Sequence, residues 1–179
     1  MARLELYVIR HGIAEDRGPD GTDASRALTA EGVSRLREVA SHLKALGVWW
    51  DVVLTSPLVR ARQTAEVLLG AKPDDRPEPR VVVTVNLVPE ARPGATIEEV
   101  AALPEVTHPA GDGATRVALV SHEPLVSTLA ARLLGSPAPL PFKKGGICRI
   151  DFDGLSPSGE PGLLRWFAPP KLLRGTDRR

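Results

Sequence analysis

The chain has 179 residues, of which 42% are hydrophobic, enough for one domain with a sizeable core but too few for two. Its 23 basic side chains nearly balance 22 acidic ones, so no sequence-wide field would attract nucleic acid or an anionic membrane. Any anion must therefore be bound by a local cluster of charges. A single cysteine, Cys148, excludes an internal disulfide framework and any zinc site built on several cysteines.

The N-terminus and the hydropathy pattern bear on where the protein works. Glu5 interrupts the first short apolar run and no small-residue cleavage site follows it, so we expect no signal peptide. No apolar stretch approaches the roughly 18 residues that would suggest a membrane span. Together with the single cysteine, these features predict a soluble, cytoplasmic protein.

Apolar, β-branched runs alternate with helical patterns along the chain. Leu4–Ile9 is the first such run, and the helix after it has Thr29 as its N-cap and Gly47 at its end. Strands and helices then continue to alternate. The remaining predicted elements are a strand at Val52–Thr55, a helix opened by Ser56-Pro57, a strand at Val81–Val85, a helix at Thr96–Leu103, a strand at Val117–Ser121, a helix with Pro124 in its first turn, and strands at Cys148–Phe152 and Leu163–Phe167.

This alternation predicts a three-layer α/β/α fold, with a mostly parallel, doubly wound sheet covered on both faces. The helices after the second and fourth strands each have a proline that we expect at the first helical position, where its missing N–H would be unpaired anyway. Gly- and Pro-rich composition predicts a hairpin turn over 153–162. We see no repeat and no linker, so we expect one domain over residues 1–170, followed by a frayed tail at 171–179.

Polar side chains follow three of the predicted parallel strands. The first strand ends on Arg10 and His11. The second leads through Ser56 to Arg60, and the fourth ends on His122. The carboxyl ends of parallel strands share one edge of a sheet, so two arginines, two histidines and two helix N-termini would face one crevice. Because arginine forks match phosphate oxygens, the expected ligand is a phosphoryl group.

Histidine among arginines implies a particular chemistry. Nearby positive charge disfavours the imidazolium form, so at least one histidine should stay neutral and nucleophilic near neutral pH. A neutral imidazole can attack phosphorus while the arginines neutralise the phosphoryl oxygens, and water would then hydrolyse the covalent phosphohistidine. This scheme requires no metal or cofactor, and the four histidines lack the close pairing of a metal motif.

At these residues the sequence resembles a known family. VIRHGIAED resembles the Arg-His-Gly signature of the histidine phosphatase superfamily, also called phosphoglycerate mutase-like. LTAEG, VLTSPLVRARQTAEVL and VALVSHEPLVSTLAARLLG are similar to its later motifs, in the family's order. The resemblance implies that His11 is the phosphorylated nucleophile and that Arg10 and Arg60 clamp the phosphate. It further implies that His122 contacts the transferring phosphoryl group. Gly12 and Ser56, which lie within these motifs, are expected to bind substrate.

The resemblance also bears on the general acid and on the substrate. Larger members of the family carry a catalytic glutamate just after the third strand, where NLVPEARPG offers Glu90. The short chain and the segments SPLVRARQT and SHEPLV look most like the compact SixA-type phosphohistidine phosphatases. That branch implies a phosphorylated histidine on a phosphotransfer protein as substrate. Imidazole leaves far more easily than an alkoxide, so such a substrate needs a strong general acid less.

Other functions stay open at this point. A phosphatase of small phosphomonoesters, of the sugar phosphate or phosphoglycerate type, is the first alternative, and an inactive module that binds phosphate or a phosphoprotein is the second. The loop at Asp16–Ser25 either borders the substrate, as in the family, or is a mobile surface turn. Lys143 and Lys144 are expected in a flexible basic loop that would meet an acidic protein substrate if it lies near the site.

Overall fold

The structure is a computed structural model that describes residues 3–109, 113–156 and 159–174. Its strands are β1 (Leu4–Arg10), β2 (Val52–Thr55), β3 (Arg80–Val83), β4 (Thr115–Ser121), β5 (Ile147–Phe152) and β6 (Leu163–Ala168). Its helices are α1 (Ala30–Ala45), α2 (Val59–Leu69), α3 (Pro93–Ala101), α4 (Pro104–Thr107), α5 (Leu125–Leu133) and α6 (Pro170–Leu173), with a short 3₁₀ turn at Val85–Leu87. No helix within the described residues is long and apolar enough to cross a membrane.

All six strands join one sheet in the order β3-β2-β4-β1-β5-β6. The first four run parallel, whereas β5 and β6 pair antiparallel at one side. The prediction of a mostly parallel sheet is therefore confirmed. The turn predicted at 153–162 does connect the antiparallel pair, although residues 157–158 lie outside the described residues.

Alternating side chains of the strands build two separate apolar cores, one on each face of the sheet. Leu6, Val8 and Leu54 pack with α3 and α5 on one face. Tyr7 and Val53 pack with α1, α2 and α6 on the other. Helices thus cover both faces, which confirms the predicted three-layer arrangement.

The first helix is capped as its sequence predicts. The Thr29 hydroxyl accepts a hydrogen bond from the Gly32 backbone N–H at 2.9 Å, which satisfies a donor that has no partner inside the helix. Helix α1 ends at Ala45, and Gly47 follows with a φ of +69°, a left-handed conformation that glycine adopts at little cost.

The prediction that two prolines occupy first helical positions is wrong. The Ser56 hydroxyl accepts a hydrogen bond from the Leu58 N–H at 3.3 Å, and this turn delays α2 to Val59, two residues after Pro57. Pro124 is itself the N-cap of α5. Helix α3, by contrast, does begin on a proline, Pro93.

Two further boundaries differ from the prediction. Strand β3 ends at Val83 because the Thr84 hydroxyl accepts the Asn86 N–H at 3.1 Å and caps the 3₁₀ turn that follows. The tail predicted to be frayed begins inside α6, whose Leu173 is only 5% exposed and packs in the α1 core. Residues 175–179 of that tail lie outside the described residues.

Candidate active site

Strand register brings the predicted site residues to one edge of the sheet. Arg10 is paired with Ser121, the last residue of β4, and the His11 N–H donates to the Ser121 carbonyl at 2.9 Å. On the other side of β4, the Ser56 N–H donates to the Val120 carbonyl at 3.1 Å. His11 and His122 therefore follow neighbouring strands, and their ring centroids lie 4.9 Å apart. The convergence expected from the sequence is present.

Each of the two arginines is fixed by a segment distant in sequence. Arg60, in the first turn of α2, is 4% exposed and donates its Nη1 to the Asp23 carbonyl at 2.7 Å and its Nη2 to the Asp23 carboxylate at 2.8 Å. Arg10 donates its Nη1 to the Phe142 carbonyl at 2.6 Å. Both guanidinium groups are therefore held through their terminal Nη atoms.

Among the described residues, the Nε atoms of these two guanidinium groups have no hydrogen-bond partner. Six buried side-chain nitrogen atoms lack a hydrogen-bond partner within the described part of the chain. Four of the six belong to this site, namely Nε of Arg10, Nε of Arg60 and both ring nitrogens of His122. Buried polar atoms without partners are rare and costly, because they have lost their hydrogen bonds to water and gained none in return. Their concentration around His11 fits a site built to receive an anion.

The hydrogen bond of His11 defines its tautomer. Its Nδ1 lies 2.7 Å from the Gly12 carbonyl oxygen, which can only accept. In the neutral ring, Nδ1 must therefore carry the proton, and Nε2 carries the lone pair. The ring is held in this state by its own backbone neighbour.

Burial keeps both histidines neutral. Burial, opposed by the bond to the Gly12 carbonyl and aided by the positive charges of Arg60, Arg10 and Lys144, lowers the pKa of His11 to about 4. The pKa of His122 falls to about 3, again mainly through burial and then through neighbouring His11. Two uncharged imidazoles among cations are thus expected near neutral pH.

Gly12 and Ser56 shape the site through their backbone. The Gly12 N–H donates to the Thr64 hydroxyl at 3.1 Å, and a Cβ at this position would lie 2.6 Å from Cδ1 of Leu36. A larger residue at this position would therefore require the Leu36 side chain to move. Ser56 is fully buried, and its hydroxyl accepts a hydrogen bond from the Leu58 N–H.

Glu90 has no hydrogen bond to this cluster in the described ranges. It is exposed in the turn between the 3₁₀ segment and α3. Within the described residues, its carboxylate makes no hydrogen bond or ion pair. The structure thus brings Arg10, His11, Arg60 and His122 together, and it shows no contact that ties Glu90 to them.

Sequence reasoning missed two carboxylates that support the arginines. Asp23 binds Arg60, as described above. Glu123, directly after His122, accepts the Phe142 N–H at 2.9 Å and the Ser127 hydroxyl at 2.6 Å, which fixes the segment whose carbonyl binds Arg10. The adjacency of Glu123 to a site histidine was a usable signal, whereas Asp23 lies in a polar loop without any pattern.

The basic loop lies beside the site. The Gly145 N–H donates to the Arg10 and His11 carbonyls at 3.1 and 2.9 Å, which places the exposed Lys144 next to the histidine. No group of three or more His, Cys, Asp or Glu side chains in the described ranges is arranged to hold a metal ion. The positive charges that act on His11 are those of Arg60, Arg10 and Lys144.

Comparisons with known proteins agree with this geometry. Residues 6–81 match the model of the histidine phosphatase superfamily, branch 1. The chain is 30% identical over 173 residues to the phosphohistidine phosphatase SixA of Escherichia coli, across 96% of this chain and 97% of that protein. It is 39% identical over 124 residues to an uncharacterized protein of Picosynechococcus, across 68% of this chain and 67% of that one.

A solved structure of the protein histidine phosphatase SixA in complex with tungstate superposes with a TM-score of 0.78 at 29% identity, covering 95% of this chain and 99% of that one. This match confirms the phosphoglycerate mutase-like α/β fold. Family model, relatives and structure together show that the chain belongs to the histidine phosphatase superfamily and is a phosphatase.

Proposed function

We propose that this chain hydrolyses phosphohistidine on a phosphotransfer protein through a covalent phosphohistidine formed on His11. The observation that carries the proposal is the neutral His11 ring, whose Nδ1–H is bound to the Gly12 carbonyl and whose Nε2 keeps its lone pair. Neutral imidazole is a nucleophile toward phosphorus, whereas imidazolium has no lone pair to offer. The covalent step therefore begins at Nε2.

The reaction consists of two displacements at phosphorus. In the first, Nε2 of His11 forms a bond to phosphorus while the bond to the substrate nitrogen breaks. The departing imidazole keeps the electron pair and takes a proton from water. In the second, a water molecule attacks the phosphoryl group and gives a proton to the hydroxide left by the first step, the bond to Nε2 breaks, and His11 returns to its neutral form with release of inorganic phosphate.

The arginines and His122 provide the electrostatic part of this mechanism. The unpartnered Nε atoms of Arg10 and Arg60 and the ring of His122 are donors available for the phosphoryl oxygens. Preorganised donors of this kind stabilise the charge that develops in the transition state, because they need no reorientation when it forms. This positive charge makes the scheme independent of a metal ion.

The substrate class is supported by the leaving group that the site can handle. Glu90 is exposed and, within the described residues, its carboxylate makes no hydrogen bond that would hold it in place as a general acid for an alkoxide. An imidazole leaving group depends far less on such an acid. The resemblance to a relative named as a phosphohistidine phosphatase, over nearly its full length, points the same way.

We assign the activity to one domain over residues 1–170. Both apolar cores draw their strands from the same continuous sheet, which supports this assignment. The expected partner is the phosphorylated protein itself, which would approach the edge of the sheet where β1, β2 and β4 end.

A substrate comparison tests the proposal. Purified protein is offered a phosphorylated histidine-phosphotransfer domain and, separately, a panel of sugar phosphates and phosphoglycerates. We expect the highest kcat/KM with the phosphoprotein, and a loss on the order of 10³ or more in His11→Ala. His108→Ala, which changes an exposed histidine at the opposite end of β4, is the matched control and should keep full activity. A strong preference for one metabolite would instead identify a phosphatase of small phosphomonoesters, and phosphate binding without turnover a binding module.

A further inference from the structure

The contact between Asp23 and Arg60 is more precisely positioned than an ordinary surface ion pair. Asp23 accepts from both terminal nitrogens of the guanidinium, with its main-chain carbonyl at 2.7 Å and its carboxylate at 2.8 Å. Arg60 is 4% exposed, whereas the Asp23 side chain is 57% exposed. The aspartate thus covers the outer end of a buried cation from the solvent side.

The loop that carries Asp23 is itself anchored. Arg26 donates its Nη1 to the other oxygen of the same carboxylate at 2.7 Å and its Nε to the Glu15 carbonyl at 2.6 Å. The Ala24 carbonyl accepts the N–H of Val59, the first residue of α2, at 3.1 Å. The contacts with Arg26 and then Arg60 lower the pKa of Asp23, so its carboxylate is ionised at neutral pH. The ionised carboxylate of Asp23 is therefore held in a fixed position next to the terminal nitrogens of Arg60.

The pattern of used and unused nitrogen atoms shows which side of Arg60 is available. A guanidinium can bind an anion through its two terminal nitrogens or through Nε and one terminal nitrogen. Asp23 takes the first mode. Nε stays buried and without a partner, so the edge that includes Nε is free to bind an anion.

We propose that Asp23 is a positioning residue, which holds the terminal end of Arg60 so that its Nε edge meets the phosphoryl oxygens in the transition state. The inference rests on the proposed function, because it assumes that Arg60 contacts the transferring group. This role of Asp23 differs from that of a general acid, because an ionised carboxylate has no proton to donate.

Two other roles for Asp23 make different predictions. If the carboxylate only occupied the place of the phosphate, its removal would free Arg60 and improve anion binding with no loss of kcat. If it only stabilised the loop, its removal would lower stability and anion affinity together. A positioning role predicts a third result: kcat falls while anion affinity does not, because removing a nearby negative charge favours anion binding even as the alignment of Arg60 is lost.

The experiment compares Asp23→Ala and Asp23→Asn with the wild type. The control is Asp153→Ala, which changes an exposed aspartate after β5, at the opposite end of the sheet from the histidines. Turnover is measured with the phosphorylated phosphotransfer domain and with para-nitrophenyl phosphate. Tungstate affinity is measured by calorimetry, and the folded state is checked by thermal unfolding.

We expect kcat to fall about 10- to 100-fold in Asp23→Ala on whichever substrate the wild type hydrolyses, as a misplaced catalytic group costs up to about 10²-fold. Tungstate should bind at least as tightly as to the wild type. Asp23→Asn keeps an oxygen that can accept from Arg60, so it should recover part of the lost kcat. Should Asp23→Ala not fold, the same comparison is made with Asp23→Asn and Asp23→Ser.

An unchanged kcat in both variants would overturn the inference, and so would a parallel loss of tungstate affinity and of thermal stability. These failures differ from a failure of the proposed function, which would show in the wild type as preference for a metabolite or as binding without turnover. If the wild type hydrolyses neither substrate, the proposed function and the inference fall together.

Discussion

Acidification is a direct probe of the His11 environment. Burial, with the charges of Arg60, Arg10 and Lys144, lowers the pKa of His11 to about 4, against an ordinary value of 6.5. At about pH 5.5 an unperturbed histidine would be only about one tenth neutral, whereas His11 should be more than about nine tenths neutral. The enzyme should therefore keep its nucleophile where an ordinary histidine would already be protonated.

Two measurements follow this titration. The first is the NMR titration of the His11 ring in the enzyme without substrate, assigned by its absence from His11→Ala; it should show a midpoint well below 6. The second is kcat/KM against pH, whose acid limb should contain no enzyme group near 6.5; the phosphate and the imidazole ring of the substrate titrate at about pH 6 to 7 and are assigned from titration of the free substrate. A ring titration with a midpoint at 6.5 would refute the reasoning, because it would mean that His11 is neither desolvated nor crowded by cations.

Further variants and conditions test the same site. Arg60→Ala should lower kcat about 10²- to 10³-fold, as expected for the loss of one preorganised donor, whereas Arg62→Ala, at an exposed position in the same helix, should leave kcat unchanged in the same assay. Glu90→Gln should leave phosphohistidine turnover within about twofold of wild type, since an imidazole leaving group needs little acid; a large loss would restore Glu90 as the general acid. The free energy of unfolding should fall as the pH drops from 6.5 toward 4, because the unfolded chain binds protons at His11 and His122 that the folded state does not bind; His11 contributes about 3 kcal/mol of this fall in chemical denaturation, and His11→Asn should remove that share and leave the share of His122.

The elements that the sequence predicts well are those encoded by local patterns. Apolar, β-branched runs define β1, β2 and β4, and a hydroxyl at Thr29 defines the start of α1. The site followed from one further rule, that parallel strands end at the same edge, which brings His11 and His122 together from 111 positions apart in the chain. Neither inference needs a long-range contact to be known beforehand.

The remainder depends on contacts that no local pattern encodes. Asp23 reaches Arg60 across 37 positions, and Glu123 holds the Phe142 segment across 19. Helices α2 and α5 begin after Pro57 and Pro124, later than predicted. Hydrogen bonds in the turns, such as that to the Ser56 hydroxyl, lengthen the segment between strand and helix. The contacts that hold Arg10 and Arg60 are therefore visible only in the folded chain.

In the proposed mechanism, His11 carries the phosphoryl group during turnover. Rapid acid-free quenching of the enzyme with radiolabelled phosphohistidine substrate, followed by peptide mapping, tests it most directly. We expect a phosphoryl group on His11 that is stable to base and labile to acid, and that is absent from His11→Ala. Label on another residue such as His122, or normal turnover by His11→Ala, would contradict the account.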